Sequence, residues 1–293
     1  MNVKDFSKSR PPDNREGMGF QSTELARASA LMQQMKQDKD RTVFLAFTAN
    51  LVASGLRGFF AGIIREGWID AVVTSGGSID HDIIKSHLNY KVATFREDDK
   101  KLFGKFNRLG NILVPNSAYV LLEKKVQPVF RKMHQTKKSW NTRETIQELS
   151  TLCNGEHSFL KACKDHNVPV FSPAFIDSAL GLQLFFFKQD HRDFCLDATG
   201  DLKEMANLVL TAKKTSAIIL GGGSSKHFTL GANLLRGGLD SAVYFTTAQE
   251  YDGSLSGAQP REAQSWGKVK TKADSAVVYG DATITFPMAI AGL

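Results

Sequence analysis

The chain has 293 residues, of which 42% are hydrophobic and 23% are charged, and its formal net charge is +7. This is ordinary globular composition, enough for one large α/β domain or two small ones. No apolar run approaches the roughly 20 residues needed to cross a bilayer, and the N-terminus lacks the hydrophobic core of a signal peptide. We therefore expect a cytoplasmic protein without a membrane partner.

Apolar patterning predicts strands and helices that alternate along the chain after a polar extension over residues 1–20. Helical spacing of apolar residues predicts a first helix over 21–41, and the apolar run that follows predicts a strand over 42–50. The later predicted strands are 69–77, 110–116, 168–174, 215–223, 241–248 and 275–287. The later predicted helices are 56–68, 117–135, 143–165 and one near 200–214.

The predicted strands are nearly continuous apolar runs, which is typical of strands buried on both faces of a parallel sheet. Their alternation with helices predicts a doubly wound, mostly parallel, Rossmann-like α/β sheet with helices on both faces, in a single domain over residues 21–293. Ligands of such sheets bind beyond the carboxyl ends of the strands. Polar residues and glycines lie at these ends at Thr48–Asn50, Thr74–Gly77, Asp177, Gly221–Gly223, Thr247–Ala248 and Asp281–Ala282.

Cysteine spacing and charge placement argue against a metal site and a nucleic-acid partner. Cys153, Cys163 and Cys195 show neither metal-type spacing nor a convincing disulfide framework, so we predict reduced thiols and no metal. The segment from Arg96 to Glu144 contains 12 Lys and Arg against 5 Asp and Glu, whereas the rest of the chain is balanced. Because no aromatic stacking motif accompanies this segment, nucleic acid is not expected. A solvated helical face and a docking surface for another macromolecule both stay open.

Two strand ends are rich in glycine. In GGG at 221–223, the missing side chains would let backbone N–H groups approach a phosphate at the start of the next helix. TSGG at 74–77 repeats the pattern at another strand end. A tight turn between strand and helix explains either stretch equally well, and neither is followed about 20 residues later by an obvious ribose-binding acid. A dinucleotide site and a plain turn therefore both stay open.

Acidic side chains recur near the predicted strand ends. They are Asp80, Asp82, Asp177, Asp240, Asp252, Glu262 and Asp281. A site built from some of them would be locally negative and would suit a cationic ligand, although any single one is as readily a helix cap or an exposed charge. Asp80 and Asp82 are expected to cap the helix that begins IDHDIIKS. His227, which follows the GGG turn, is either structural or functional.

The stretch SWGK places Lys268 two residues after Trp266. A lysine that acts as a nucleophile must be unprotonated, whereas the pKa of free lysine is about 10.4. Burial beside an indole would disfavour the cation and lower the pKa, and such an amine can form a Schiff base with a carbonyl or imine carbon. The structural alternative is an ion pair with Glu262 or Asp252.

Several stretches, read in chain order, resemble deoxyhypusine synthases, and GSIDHD and EYDGSLSG are most similar to archaeal members. They are FTANLVASGLRG, TSGGSIDHDIIKS, LGGGSSKH, ANLLRGG, TTAQEYDGSLSGAQPREAQSWGK and YGDATITFP. The resemblance covers roughly residues 20–293. It implies that NAD oxidises spermidine and that the aminobutyl fragment passes to an enzyme lysine as an imine. The fragment then goes to one lysine of the translation initiation factor 5A precursor, where the bound NADH reduces the product.

The resemblance also implies residue roles. It makes Lys268 the imine-forming nucleophile and His227 a second catalytic residue. The implied NAD-binding positions are Asn50, Thr74, Ser75, Asp80, Asp177, Gly222, Thr247, Ala248, Asp281 and Ala282. The implied polyamine-binding positions are His227, Gly253, Ser254, Glu262 and Trp266. A homotetramer with sites at subunit interfaces is implied as well.

Three positions depart from the pattern of eukaryotic members. Leu182 and Leu255 stand where those members carry acids, and Gly231 stands where they carry an asparagine. The loss of two amine anchors leaves the identity of the amine donor open. The alternatives are an aminobutyltransferase that acts on a small amine, as in homospermidine formation, and a catalytically weak NAD-binding or assembly protein with the same fold.

Overall fold

Strands and helices alternate in the computed structural model, which describes residues 17–96, 102 and 104–291. The helices are α1 (Gln21–Gln37), α2 (Ala49–Ser54), α3 (Arg57–Arg65), α4 (Gly76–Lys85), α5 (Ser117–Thr136), α6 (Thr142–Leu149), α7 (Phe159–Asp165), α8 (Ala179–Asp190), α9 (Gly200–Thr211), α10 (Gly223–Asn233), α11 (Pro260–Ser265) and α12 (Ala282–Ile290). The strands are β1 (Arg41–Phe47), β2 (Ala71–Thr74), β3 (Lys91–Val92), β4 (Phe106–Leu109), β5 (Ile112–Pro115), β6 (Ser139–Asn141), β7 (Val170–Phe171), β8 (Cys195–Asp197), β9 (Lys214–Leu220), β10 (Leu239–Thr246) and β11 (Val269–Tyr279). Within the described ranges, no helix is both long and apolar enough to span a membrane.

The chain divides into two compact units. Unit 1 comprises Met1–Phe47, Trp68–Asp70 and Met205–Leu293, and unit 2 comprises Thr48–Gly67 and Ala71–Glu204. Compactness alone does not show that either unit folds without the other, so the single domain over 21–293 stays a prediction. Residues 1–16 of the predicted N-terminal extension lie outside the described residues.

Unit 1 contains four parallel strands in the order β11, β10, β9, β1. Consecutive side chains of a strand point to opposite faces of its sheet. The centroid of the Tyr244 ring of β10 lies 4.3 Å from Lys226 Nζ of α10. The ring of the next residue, Phe245, packs against the Phe286 ring of α12, with 5.6 Å between the two centroids. Helices α10 and α12 therefore cover opposite faces, and the predicted fold class, a mostly parallel α/β sheet with helices on both faces, is confirmed.

Unit 2 holds α2 to α8 around a buried ionic cluster. β2 pairs with β7 in parallel, and β6 pairs with β8 in parallel. The Asp82 carboxylate of α4 is fully buried and accepts hydrogen bonds from Arg57 Nη1 at 2.9 Å and Ser158 Oγ at 2.7 Å. It also accepts one from Leu160 N at 2.9 Å. Asp82 therefore holds α3, α4 and the start of α7 together and is a structural acid.

Four local predictions were wrong, wholly or in part. The strand predicted over 110–116 is present as β5 but is antiparallel, because Gly110 at φ 59° forms a tight hairpin turn between β4 and β5. The strand predicted over 275–287 ends at Tyr279, because Asp281 accepts a hydrogen bond from Thr283 N at 2.8 Å and caps α12. The helix predicted over 143–165 is interrupted between α6 and α7.

The fourth wrong prediction concerns α4. This helix begins at Gly76 with Ser75 at its N-cap position, so Asp80 and Asp82 lie inside it and do not cap it. The predominantly apolar helix α8, for which no pattern gave a prediction, begins beside Asp80.

Candidate active site

The GGG turn of unit 1 joins β9 to α10 and brings a second loop very close. Gly221 and Gly223 have φ values of 84° and 67°, which favour glycine. A Cβ atom at Gly222 would collide with Ser256, so this position requires glycine for close backbone approach. No side chain caps α10, whose first N–H groups are therefore available to an anion. His227 is exposed on the first turns of this helix.

The loop after β10 folds back on itself before α11 begins. Ala248 N donates to Thr246 Oγ1 at 3.0 Å, and this hydroxyl donates to Ser256 O at 3.1 Å. The Asp252 carboxylate accepts a hydrogen bond from Ser254 N at 2.7 Å, so Asp252 stabilises the turn. Thr247, Gly253 and Ser254 are exposed on this loop.

Lys268 follows α11 at the point where β11 begins. Its backbone N–H donates to Ala263 O at 2.9 Å, and its carbonyl accepts from Leu239 N at 3.0 Å. The backbone is thus fixed, while the Nζ atom lies 5.4 Å from the centroid of the Trp266 ring. Among the described residues, neither Glu262 nor any other carboxylate forms an ion pair with Nζ of Lys268. The indole is itself 66% exposed, so within one chain it contacts the ammonium but does not bury it.

Two other acids of unit 1 have defined partners. Asp281 caps α12, and Ala282 is buried as the first residue of that helix. Asp240 lies at the opposite end of β10, where it pairs with Arg236 at 2.8 Å and Lys270 at 2.5 Å. Asp240 is therefore structural, whereas the exposed Glu262 carboxylate on α11 stays available to a cation.

Sequence reasoning missed Lys226, the residue before His227. Its side chain is 1% exposed, and Nζ donates to Ala258 O at 2.7 Å. Desolvation by burial lowers the pKa of this lysine to about 8, although the nearby Glu262 charge raises it. A signal was present in the sequence, because Lys226 shares the i, i+3, i+4, i+7 spacing of a buried stripe with Thr229, Leu230 and Asn233.

In unit 2, the candidate cofactor residues lie after β1 and β2. Thr48 Oγ1 donates to Asn50 Oδ1 at 2.6 Å at the start of α2. Thr74 is buried, and its hydroxyl oxygen lies 2.6 Å from the hydroxyl oxygen of Ser78. The N-cap residue Ser75 makes no side-chain cap, so α4 also begins with unsatisfied N–H groups.

Asp80 has a role that its position in the chain does not reveal. Its carboxylate accepts hydrogen bonds from Ala179 N at 2.8 Å and Leu180 N at 3.1 Å, and so caps α8, about 100 residues away. Burial raises the pKa of Asp80 to about 7, against the lowering effect of these two bonds. Asp177, by contrast, is exposed just before α8. The NAD contacts implied for both residues stay predictions.

The two leucines at lost acid positions differ in environment. Leu255 is half-buried, whereas Leu182 is 53% exposed on α8. Three other apolar side chains close to Leu182 in the chain, those of Ile176, Phe185 and Phe186, are also 75%, 56% and 50% exposed. We call these four residues the α8 apolar face.

Comparisons with known proteins identify a family. The sequence model of the family Deoxyhypusine synthase matches residues 13–293. A probable deoxyhypusine synthase of Thermoplasma acidophilum is 41% identical over 276 residues, which cover 93% of this chain and 88% of that protein. One of Sulfurisphaera tokodaii is 42% identical over 278 residues, covering 94% and 89%.

Solved structures share the fold at low identity. A putative deoxyhypusine synthase of Entamoeba histolytica superposes with a TM-score of 0.71 at 20% identity, over 94% of this chain and 89% of that one. The ternary complex of AgrE with ornithine and NAD+ gives 0.58 at 12% identity, over 93% of this chain and 33% of that one.

Proposed function

The chain belongs to the deoxyhypusine synthase family, and we propose that it transfers the 4-aminobutyl group of spermidine to one lysine of the translation initiation factor 5A precursor, with NAD as hydride acceptor. The observation that carries this proposal is the setting of Lys268. Its backbone is held by hydrogen bonds at both ends, its ammonium contacts an indole, and no carboxylate neutralises it among the described residues. A lysine so placed is available for covalent chemistry.

Each residue of the proposed amine site has a distinct task. The Glu262 carboxylate attracts an ammonium of the donor, and the Trp266 face favours a cation above it. His227, exposed on α10, is the candidate to accept a proton from the donor amine. Lys268, once unprotonated, adds its Nζ to the oxidised carbon of the donor, expels the amine fragment and holds the aminobutyl group as an imine.

The strand ends fit a dinucleotide. When bound, NAD would accept the hydride of the donor and return it to the product. In unit 1, helix α10 begins after a buried strand with glycines and without a side-chain cap, and its first N–H groups therefore favour a phosphate. Helix α4 of unit 2, taken by itself, begins in the same way. The fold neighbour AgrE was solved with NAD+ bound, which is consistent with this use of the fold.

The α8 apolar face supports self-association. Helix α8, ALGLQLFFFKQD, has apolar residues all round, a pattern typical of buried helices. Its exposed phenylalanines and leucine form a patch of the kind that marks a protein interface. We propose that a second copy of this chain covers it, within the homotetramer that the resemblance implies.

The decisive experiment follows the label of spermidine. The purified protein is incubated with NAD, spermidine labelled in the aminobutyl group, and the purified factor precursor. Label on one precursor lysine supports the proposal. Label on an added small amine, such as putrescine, would instead support the homospermidine-forming alternative. That alternative is favoured by Leu182 and Leu255, which remove two acids that anchor amines in eukaryotic members. Absence of NAD reduction with any amine would support the weakly catalytic NAD-binding protein.

A further inference from the structure

Lys226 is the buried charge that the proposed chemistry leaves unexplained. A lysine is almost never fully buried unless it is paired, because removing an ammonium from water costs several kcal/mol. Lys226 is 1% exposed, and no carboxylate of the described residues lies in ion-pair contact with it. An apolar residue of similar length would fill the same space at a lower cost, so the charge requires a reason.

The contacts of the Lys226 ammonium are few and specific. Nζ donates to the carbonyl oxygen of Ala258 at 2.7 Å and lies 4.3 Å above the ring of Tyr244. The Tyr244 hydroxyl is buried and has no hydrogen-bond partner within the described ranges. The favourable charge nearby is that of Glu262, which raises the pKa of Lys226 against the effect of burial.

Ala258 is the residue through which this ammonium acts on the site. Its N–H donates to Ser254 O at 3.2 Å, so Ala258 closes the loop that carries Gly253 and Ser254. Two residues later Pro260 begins α11, the helix of Glu262. The Lys226 bond therefore ties the GGG-turn helix α10 to the joint between the loop and α11.

We propose that Lys226 is a positioning residue, whose ammonium fixes the Ala258 carbonyl and thereby presents the Glu262 carboxylate to the cationic end of the amine donor. This inference rests on the proposed function of the amine site. Lys226 does not touch the donor, because it is buried against the Tyr244 ring of β10 and the Ala258 loop. Its effect is mechanical, since the hydrogen bond from Nζ to Ala258 O anchors the segment that leads into α11.

The test compares Lys226→Met, which removes the bond and the charge, with Lys226→Arg, which keeps both. The control is Lys85→Met. Lys85 is a partly buried lysine of unit 2 that also donates to backbone carbonyls, Val52 O at 3.1 Å and Ala53 O at 2.7 Å. We measure amide hydrogen exchange of the segment 254–263, the KM values for the amine and for NAD, kcat, and thermal unfolding.

For Lys226→Met we expect exchange of 254–263 to become at least tenfold faster and the KM for the amine to rise at least tenfold. The KM for NAD should stay within twofold. The melting temperature should stay level or rise, because an apolar residue replaces a buried charge. Lys226→Arg should recover part of both effects, and Lys85→Met should leave 254–263 and the amine KM unchanged.

Unchanged exchange in Lys226→Met would overturn the anchor. Faster exchange of 254–263 and a higher KM for the amine in Lys85→Met would show that both effects come from general destabilisation, which also overturns the proposal. The exchange measurement needs no donor, so it decides the anchoring of α11 even where the parent protein fails to oxidise spermidine. Failure of the proposed function and failure of this inference therefore give different results.

Discussion

The variant Asp80→Asn shows how the charge of one buried carboxylate affects the stability of unit 2. The Asp80 side chain is 5% exposed and accepts two backbone hydrogen bonds at the start of α8. Asparagine has nearly the same shape and keeps an acceptor for one of the two bonds, which reach different oxygens of Asp80, but it carries no charge at any pH. The variant therefore tests what ionisation of this buried group does to folding.

The sign and size of the effect follow from the pKa of Asp80, which burial raises to about 7. Unfolded aspartate has a pKa of about 3.9. Because the folded protein binds this proton more tightly, the stabilising contribution is complete below about pH 3.9 and is lost as the pH rises towards 7. Each pH unit in this window weakens folding by about 1.4 kcal/mol, so roughly 2.5 kcal/mol is lost between pH 5 and pH 8.

Urea unfolding of the parent and of Asp80→Asn at pH 5, 6, 7 and 8 measures this loss. The variant should gain about 2.5 kcal/mol relative to the parent over this range. Asp201→Asn is the matched control. Asp201 is 3% exposed, accepts from Arg143 N at 2.9 Å, and has its pKa raised by burial to about 6. It should give only about 1.4 kcal/mol, mostly below pH 7. Parallel curves for the parent and Asp80→Asn would refute the reasoning.

Three further predictions concern the amine site and assembly. Lys268→Arg should keep folding and NAD binding but abolish aminobutyl transfer, because arginine cannot lose its proton. Borohydride trapping with spermidine should label the parent protein and a Lys272→Arg control, but not Lys268→Arg. Glu262→Gln should weaken spermidine binding about 10- to 150-fold, the range of a hydrogen bond to a charged group, with little change in NAD binding; equal losses in the two titrations would contradict an ammonium role. Serine at both Leu182 and Phe185 should shift the mass measured by light scattering towards smaller species, and an unchanged mass would exclude the α8 apolar face as the interface.

Local patterns predicted the parallel strands and the main helices around the site. Buried strands read as continuous apolar runs, and the GGG turn is required by the positive φ values and by the close approach of Ser256. Family resemblance selected Lys268, Glu262 and Trp266, and the structure places Lys268 Nζ 5.4 Å from the centroid of the Trp266 ring without the burial that the sequence suggested. The sequence could specify these features because each depends on residues that are near neighbours in the chain.

Other features were decided by tertiary structure. Asp80 reads as a cap for its own helix but caps α8, about 100 residues away, because α4 begins four residues earlier than its acids suggest. The apolar spacing of α10 indicates that Lys226 faces inward, but only the fold shows that β10 and the Ala258 loop bury it and that its ammonium binds the Ala258 carbonyl. The sequence by itself predicted most of the parallel strands and the GGG turn, and its family resemblance singled out Lys268 as the candidate nucleophile. Only packing decided which charges are buried and what they hold, because the desolvation of a charge depends on segments that are distant in the chain and adjacent in the fold.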